Sequence, residues 1–93
     1  MKNKCDVDYD YYAELLKAIG HPVRLQIVAG ILCDECNVNG IVEKLNIPQS
    51  TVSQHLGVLR SRGIITAHKD GVSTCYKVSN EFILHIITLM KKS

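Results

Sequence analysis

Cys33 and Cys36 carry the most reactive chemistry in this 93-residue chain. Two thiols three residues apart can grip one soft ion between them or close a small disulfide, and the spacing does not choose between the two. Asp34 and Glu35 disfavour thiolates by charge, while a helix start just after Cys36 favours them, so reactivity is not fixed by sequence either. A tight soft-metal site wants a third or fourth thiolate, and Cys5 is the candidate to supply it. Cys75, in a β-rich run, reads as a packed strand residue.

A second group of side chains suits a polyanion. Between Pro48 and Gly63, Val52, Leu56 and Leu59 recur at helical spacing and should point inward, leaving Ser50, Ser53, Gln54, Gly57 and Ser61 on the opposite stripe. A solvated helix face normally mixes acids and bases; this one holds small or hydrogen-bonding residues and no carboxylate, as a DNA-reading helix would. The net charge of +2 is small, but it is unevenly placed. Residues 1–47 hold five Lys or Arg against seven Asp or Glu, whereas residues 48–93 hold six against two. The basic half contains the Pro48 helix.

Enzymatic signatures are missing. The chain has no G-x-S-x-G, P-loop or H-E-x-x-H motif, and Cys33-x-x-Cys36 lacks the βαβ setting of a thioredoxin-like catalyst, so an enzyme is not expected. Charged and polar residues precede Cys5, and no apolar run approaches the roughly 20 residues of a membrane span, which predicts a cytoplasmic protein without a membrane partner. In that reducing setting cysteines point to metal or redox chemistry rather than a structural disulfide frame.

The elements that must position these residues follow from hydrophobic spacing. Residues 1–7 form a polar, flexible arm. Tyr12, Leu15, Leu16 and Ile19 mark a first helix that Gly20 ends, and His21-Pro22 restarts the chain. A second helix, from Pro22 to about Leu32, is apolar around much of its circumference and should be central. Val38, Ile41, Val42 and Leu45 give a short third helix with Asn37 as its N-cap, and Asn46 to Gln49 connect it to the Pro48 helix. Pro48 can open that helix and Gly63 can close it in a left-handed conformation. Ile64 to Ala67 and Val72 to Val78 read as strands joined at Lys69-Asp70-Gly71, and Asn80 caps a last helix bearing Phe82, Ile83, Ile86, Ile87, Leu89 and Met90. The expectation is one domain over 1–93, mainly α with a small β-hairpin wing: a winged helix-turn-helix with its helix-turn-helix at 38–62, wing at 64–78 and final helix at 80–92.

That order resembles the ArsR/SmtB family of small dimeric winged-helix repressors. The residues that carry the likeness are His21-Pro22-Val23-Arg24-Leu25-Gln26-Ile27-Val28, Ser50-Thr51-Val52-Ser53-Gln54-His55-Leu56, and Leu59-Arg60 followed by Gly63-Ile64-Ile65. The resemblance implies a homodimer paired through its first and last helices, two recognition helices addressing a pseudo-palindromic double-stranded DNA operator, and release on binding an inducer. It assigns Gln49, Ser50, Thr51, Ser53, Gln54 and His55 to the DNA face and Arg60, Arg62 and Lys69 to phosphate contacts.

For the inducer, the resemblance is less direct. Where metal-sensing relatives carry Cys-x-Cys, this chain has Asn37 and Asn39. Cys33 and Cys36, with Cys5 from either protomer, are therefore the expected sensor of a soft metal or metalloid such as arsenite, cadmium or zinc; the alternative is a Cys33-Cys36 redox or reactive-sulfur switch with no cofactor. The family's other metal site lies on the last helix, where His85 and Glu81 alone would leave zinc incompletely ligated.

Overall fold

Pro22 opens the helix on which the others are packed. In the computed structural model, which describes residues 6–34 and 38–92 and only the backbone of Val38 and Asn39, this helix is α2 (Pro22–Cys33). Ile27, Val28 and Ile31 are wholly buried on it. It lies against α1 (Tyr9–Ile19), α3 (Val38–Leu45), α5 (Glu81–Lys91) and the second strand of the hairpin, as its all-round apolar surface predicts. The expected order is present: α4 (Gln49–Ser61) follows α3, and β1 (Ile65–Asp70) and β2 (Ser73–Val78) form the wing before α5. The residue-37 cap and most of the 1–7 arm lie outside the described residues.

Each helix is bounded by local chemistry. Asp8 caps α1, its Oδ1 accepting from Tyr11 N at 3.1 Å, and His21 caps α2, its Nδ1 accepting from Val23 N at 3.1 Å. Asn46 ends α3 with a φ of 54°, a left-handed conformation that asparagine tolerates better than most residues, and turns the chain toward α4. Pro48 serves as N-cap, so α4 begins one residue later than its proline suggests. At the other end Gly63, with φ 72°, donates to Arg60 O while Ile64 donates to Leu59 O. This pairing satisfies two of the last carbonyls of α4 and brings buried Ile64 onto buried Leu59.

Val52, Leu56 and Leu59 are buried on α4 as their spacing predicts, so the polar stripe must face out. The wing departs from expectation. β1 runs on through His68, Lys69 and Asp70, which pair with Cys75, Thr74 and Ser73, and the loop is Gly71-Val72 rather than Lys69-Asp70-Gly71. Gly71, with φ 66°, takes the left-handed conformation that a two-residue hairpin loop demands. In α5, Asn80 Oδ1 accepts from Ile83 N at 3.0 Å, and Ile83 and Ile87 are buried. Tyr12 stacks edge-on against Phe82 with ring centroids 4.7 Å apart, which ties α1 to α5. No single helix among the described residues is long and apolar enough to cross a membrane.

Candidate nucleic-acid interface

The outward face of α4 presents Gln49, Ser50, Ser53, Gln54, Gly57, Arg60 and Ser61, all exposed, with Thr51 half-buried beside them. No Asp or Glu occurs between Glu43 and Asp70, so α4 itself contributes no carboxylate to this face. No side chain caps the N-terminus of α4, and its first-turn N–H groups are directed out at the positive end of the helix dipole. Gly57 has no packing reason inside the chain, since a Cβ built there meets nothing within 4 Å. A mid-helix glycine costs roughly 1 kcal/mol relative to alanine, and here it leaves this part of the face without a side chain.

The three expected phosphate contacts separate into two places. Arg60 and Lys69 come together with His68, Thr74 and Tyr76 along a groove between α4 and the wing, continuous with the polar face. Arg62, the C-cap of α4, turns the other way and meets Glu14 Oε2 of α1 at 3.2 Å. It shares a second groove, of about 340 Å³, with Lys17 and Arg24.

His55 is half-buried and faces inward, not along the exposed stripe. Its Nδ1 accepts from Arg24 Nε at 3.1 Å, and its ring lies 4.7 Å from that of His21. Arg24 also donates from Nη1 to Ala18 O at 3.1 Å, so one guanidinium joins the end of α1, the start of α2 and the middle of α4. Burial, then His21, then Arg24 hold the His55 pKa below its ordinary 6.5. Sequence reasoning missed this junction because its partners lie 31 residues apart; the one available signal was Arg24, the single charged residue of α2.

Cys33, the last residue of α2, is exposed and free, and its sulfur accepts from Lys91 Nζ of α5. Lys91 also reaches Ala29 O at 3.4 Å and so pins the end of α5 to the end of α2. Cys5 and Cys36 lie outside the described residues. Cys75 is buried in β2 as expected and is disulfide-bonded, which its sequence context did not suggest. Among the described residues no group of three or more His, Cys, Asp or Glu is placed to hold a metal ion. An incoming cation would have to displace the Lys91 ammonium from Cys33. His85 is exposed on α5.

Comparison with known proteins agrees with this geometry. Residues 21–67 match the family described as bacterial regulatory protein, arsR family. The HTH-type transcriptional repressor SmtB of Mycobacterium tuberculosis is 35% identical over 78 residues, 84% of this chain, although the chain spans only 58% of that protein's length. The crystal structure of the transcriptional repressor PagR of Bacillus anthracis superposes with a TM-score of 0.76 at 37% identity, covering 88% of this chain and 94% of that one. Reduced HlyU from Vibrio cholerae gives 0.83 at 30% identity, covering 91% and 90%. These relatives are regulators rather than enzymes, and their likeness extends over most of the chain. The chain therefore belongs to the ArsR/SmtB family of winged helix-turn-helix, DNA-binding transcriptional regulators.

Proposed function

We propose that the chain acts as one winged helix-turn-helix domain that represses transcription, binds a pseudo-palindromic duplex as a homodimer in the cytoplasm, and releases it when a thiol-directed inducer acts at Cys33. The observation that carries the DNA reading is the exposed, carboxylate-free face of α4, with Gly57 open for close approach and the Arg60–Lys69 groove beside it. In this reading Gln49, Ser50, Thr51, Ser53 and Gln54 meet base edges or nearby phosphates, and Arg60 and Lys69 hold the backbone. Arg62, already paired with Glu14, contributes to the field more than to a contact.

The dimer is supported by apolar surface that one chain leaves uncovered: Tyr9, Tyr11 and Leu16 on α1, Leu89 and Met90 on α5. Leu89 is 68% exposed, an unusual position for leucine on a helix this apolar. Leu89→Asp is expected to shift the protein to monomer in sedimentation equilibrium and to weaken palindrome binding at least tenfold. An undiminished dimer would remove α5 from the interface.

The sensing reading rests on the Cys33–Lys91 contact. A group bonded to the Cys33 sulfur displaces Lys91, which frees the end of α5 from α2 and changes the spacing between two recognition helices in a dimer paired through α5. Wild-type protein bound to its duplex should let go on exposure to one of arsenite, cadmium, zinc, peroxide or polysulfide. Cys33→Ser should bind DNA as wild type and respond at least tenfold less; an equal response would exclude Cys33. A second reading, an oxidative or reactive-sulfur switch at Cys33 and Cys36, is favoured by the exposed, free thiol of Cys33. It predicts that peroxide or polysulfide, not the metals, is the effective inducer.

A further inference from the structure

His21, Arg24 and His55 form a charged and titratable junction inside the contact between α2 and α4, where packing alone would have sufficed. Arg24 is half-buried, reaches Ala18 O with Nη1 and His55 Nδ1 with Nε, and so holds α4 to the α1–α2 corner by one side chain. Guanidinium nitrogens only donate, so the Nδ1 that accepts from Arg24 carries no proton. His21 Nδ1 is committed in the same sense, accepting from Val23 N. His55 therefore keeps a lone pair turned into the junction and cannot take a proton at Nδ1 without losing its bond from Arg24.

We propose that His55 is a positioning residue rather than a DNA contact. Neutral His55, bonded to Arg24, sets the orientation of α4, and proton uptake at Nδ1 breaks that bond and lets the recognition helix leave its DNA-binding pose. The inference rests on the reading of α4 as the DNA-contacting helix.

The surroundings make the device one-directional. Burial opposes protonation of His55 first, and His21 and Arg24, both on the α2 side, add to it. From α1, Glu14 and Lys17 line the groove that Arg24 borders, but Glu14 is committed to Lys17 at 3.7 Å and to Arg62 at 3.2 Å. From β1, His68 and Lys69 lie along the Arg60 groove and Asp70 is exposed at the end of the strand. Among the described residues no carboxylate replaces Arg24 as partner to a cationic imidazole. The His55 pKa is below its ordinary 6.5 while the latch is closed and returns toward 6.5 when it opens, so the closed form is favoured above 6.5 and is lost as pH falls from there through the lower value. One proton per latch sets a ceiling of about tenfold in affinity per pH unit per protomer.

The sign separates this from the alternative. A histidine that touches phosphate gains charge in acid and tightens binding; a latch histidine weakens it. The test is equilibrium binding of the full chain to a palindromic duplex from pH 8 to pH 5.5 at fixed ionic strength, with His68→Gln as background to remove the exposed wing histidine. Affinity is expected to fall at least fivefold across the range. In His55→Gln, whose amide oxygen can accept from Arg24 but does not titrate, the profile should flatten, and His55→Ala should bind more weakly than His55→Gln at every pH. Affinity that rises in acid, or a fall that persists in His55→Gln, overturns the proposal. A parallel measurement needs no DNA and no variant: in wild-type protein, NMR titration of the His55 ring should move together with the Arg24 Nε–H signal and the α4 amides. Independent titration would reject the latch even where DNA binding holds. Coupled titration without specific duplex binding would uphold the latch and fault the DNA reading instead.

Discussion

Replacing Ile27 by alanine is expected to destabilise the fold by roughly 3–5 kcal/mol, the largest effect of any single truncation in the chain. Ile27 is wholly buried on α2, and α2 is the element that α1, α3, α4, α5 and β2 all pack against. A cavity there has walls from several elements and little freedom to collapse, which places it at the costly end of the range for large-to-small changes. A domain of this size holds in all roughly 5–14 kcal/mol, so the variant should lose a large part of its stability and melt on the order of 15 °C or more below wild type. Val72→Ala, at the fully exposed loop of the wing, should lie within about 0.5 kcal/mol of wild type. Thermal unfolding followed by circular dichroism checks both. Equal melting temperatures for Ile27→Ala and wild type would mean that α2 is not the centre of the core.

The second large effect concerns recognition. Ser50→Ala with Gln54→Ala removes two exposed hydrogen-bonding groups from α4 while leaving Val52, Leu56 and Leu59 in place. If both read base edges, discrimination should drop by roughly 1–3 kcal/mol for each, which amounts to a loss of about 30-fold or more in specific affinity. Non-specific affinity should hardly change, because the phosphate contacts assigned to Arg60 and Lys69 remain. Competition between the palindromic duplex and a scrambled one at a single salt concentration measures this ratio directly. An unchanged ratio with unchanged melting would take the reading function away from these two residues.

Which of these features sequence could reveal depended on how local they were. The α4 face was legible because Val52, Leu56 and Leu59 share one side of a helix bounded by Pro48 and Gly63, and burying that side exposes the other. The central place of α2 was legible because no polar stripe interrupts it. The wing was recognised but its loop was misplaced: Asp70-Gly71 carries a strong turn signal, yet Asp70 still pairs with Ser73, and Gly71 alone supplies the conformation the loop needs. The junctions were not legible. Arg24 meets His55 across 31 residues and Lys91 meets Cys33 across 58, and no local periodicity encodes which charged side chain will find which acceptor. Spacing drew attention to Cys33 beside Cys36; the fold adds that Cys33 is tied to the last helix.

That tie and the His55 latch would place two controls on one object, the orientation of α4 relative to its copy. Lys91 on Cys33 acts from the end of α5, and Arg24 on His55 acts from the start of α2, so an inducer and a proton would reach the same helix by separate routes. Both presuppose that α4 rests on DNA.

The most direct measurement of that claim is the salt dependence of wild-type binding to a palindromic duplex taken from the DNA upstream of its own coding sequence. A dimer making six to ten phosphate contacts should show log K falling against log salt with a slope of about −5 to −9, together with specific affinity at least about a thousandfold above that for unrelated duplex. A slope near zero, or no duplex bound above the non-specific level, would contradict the account.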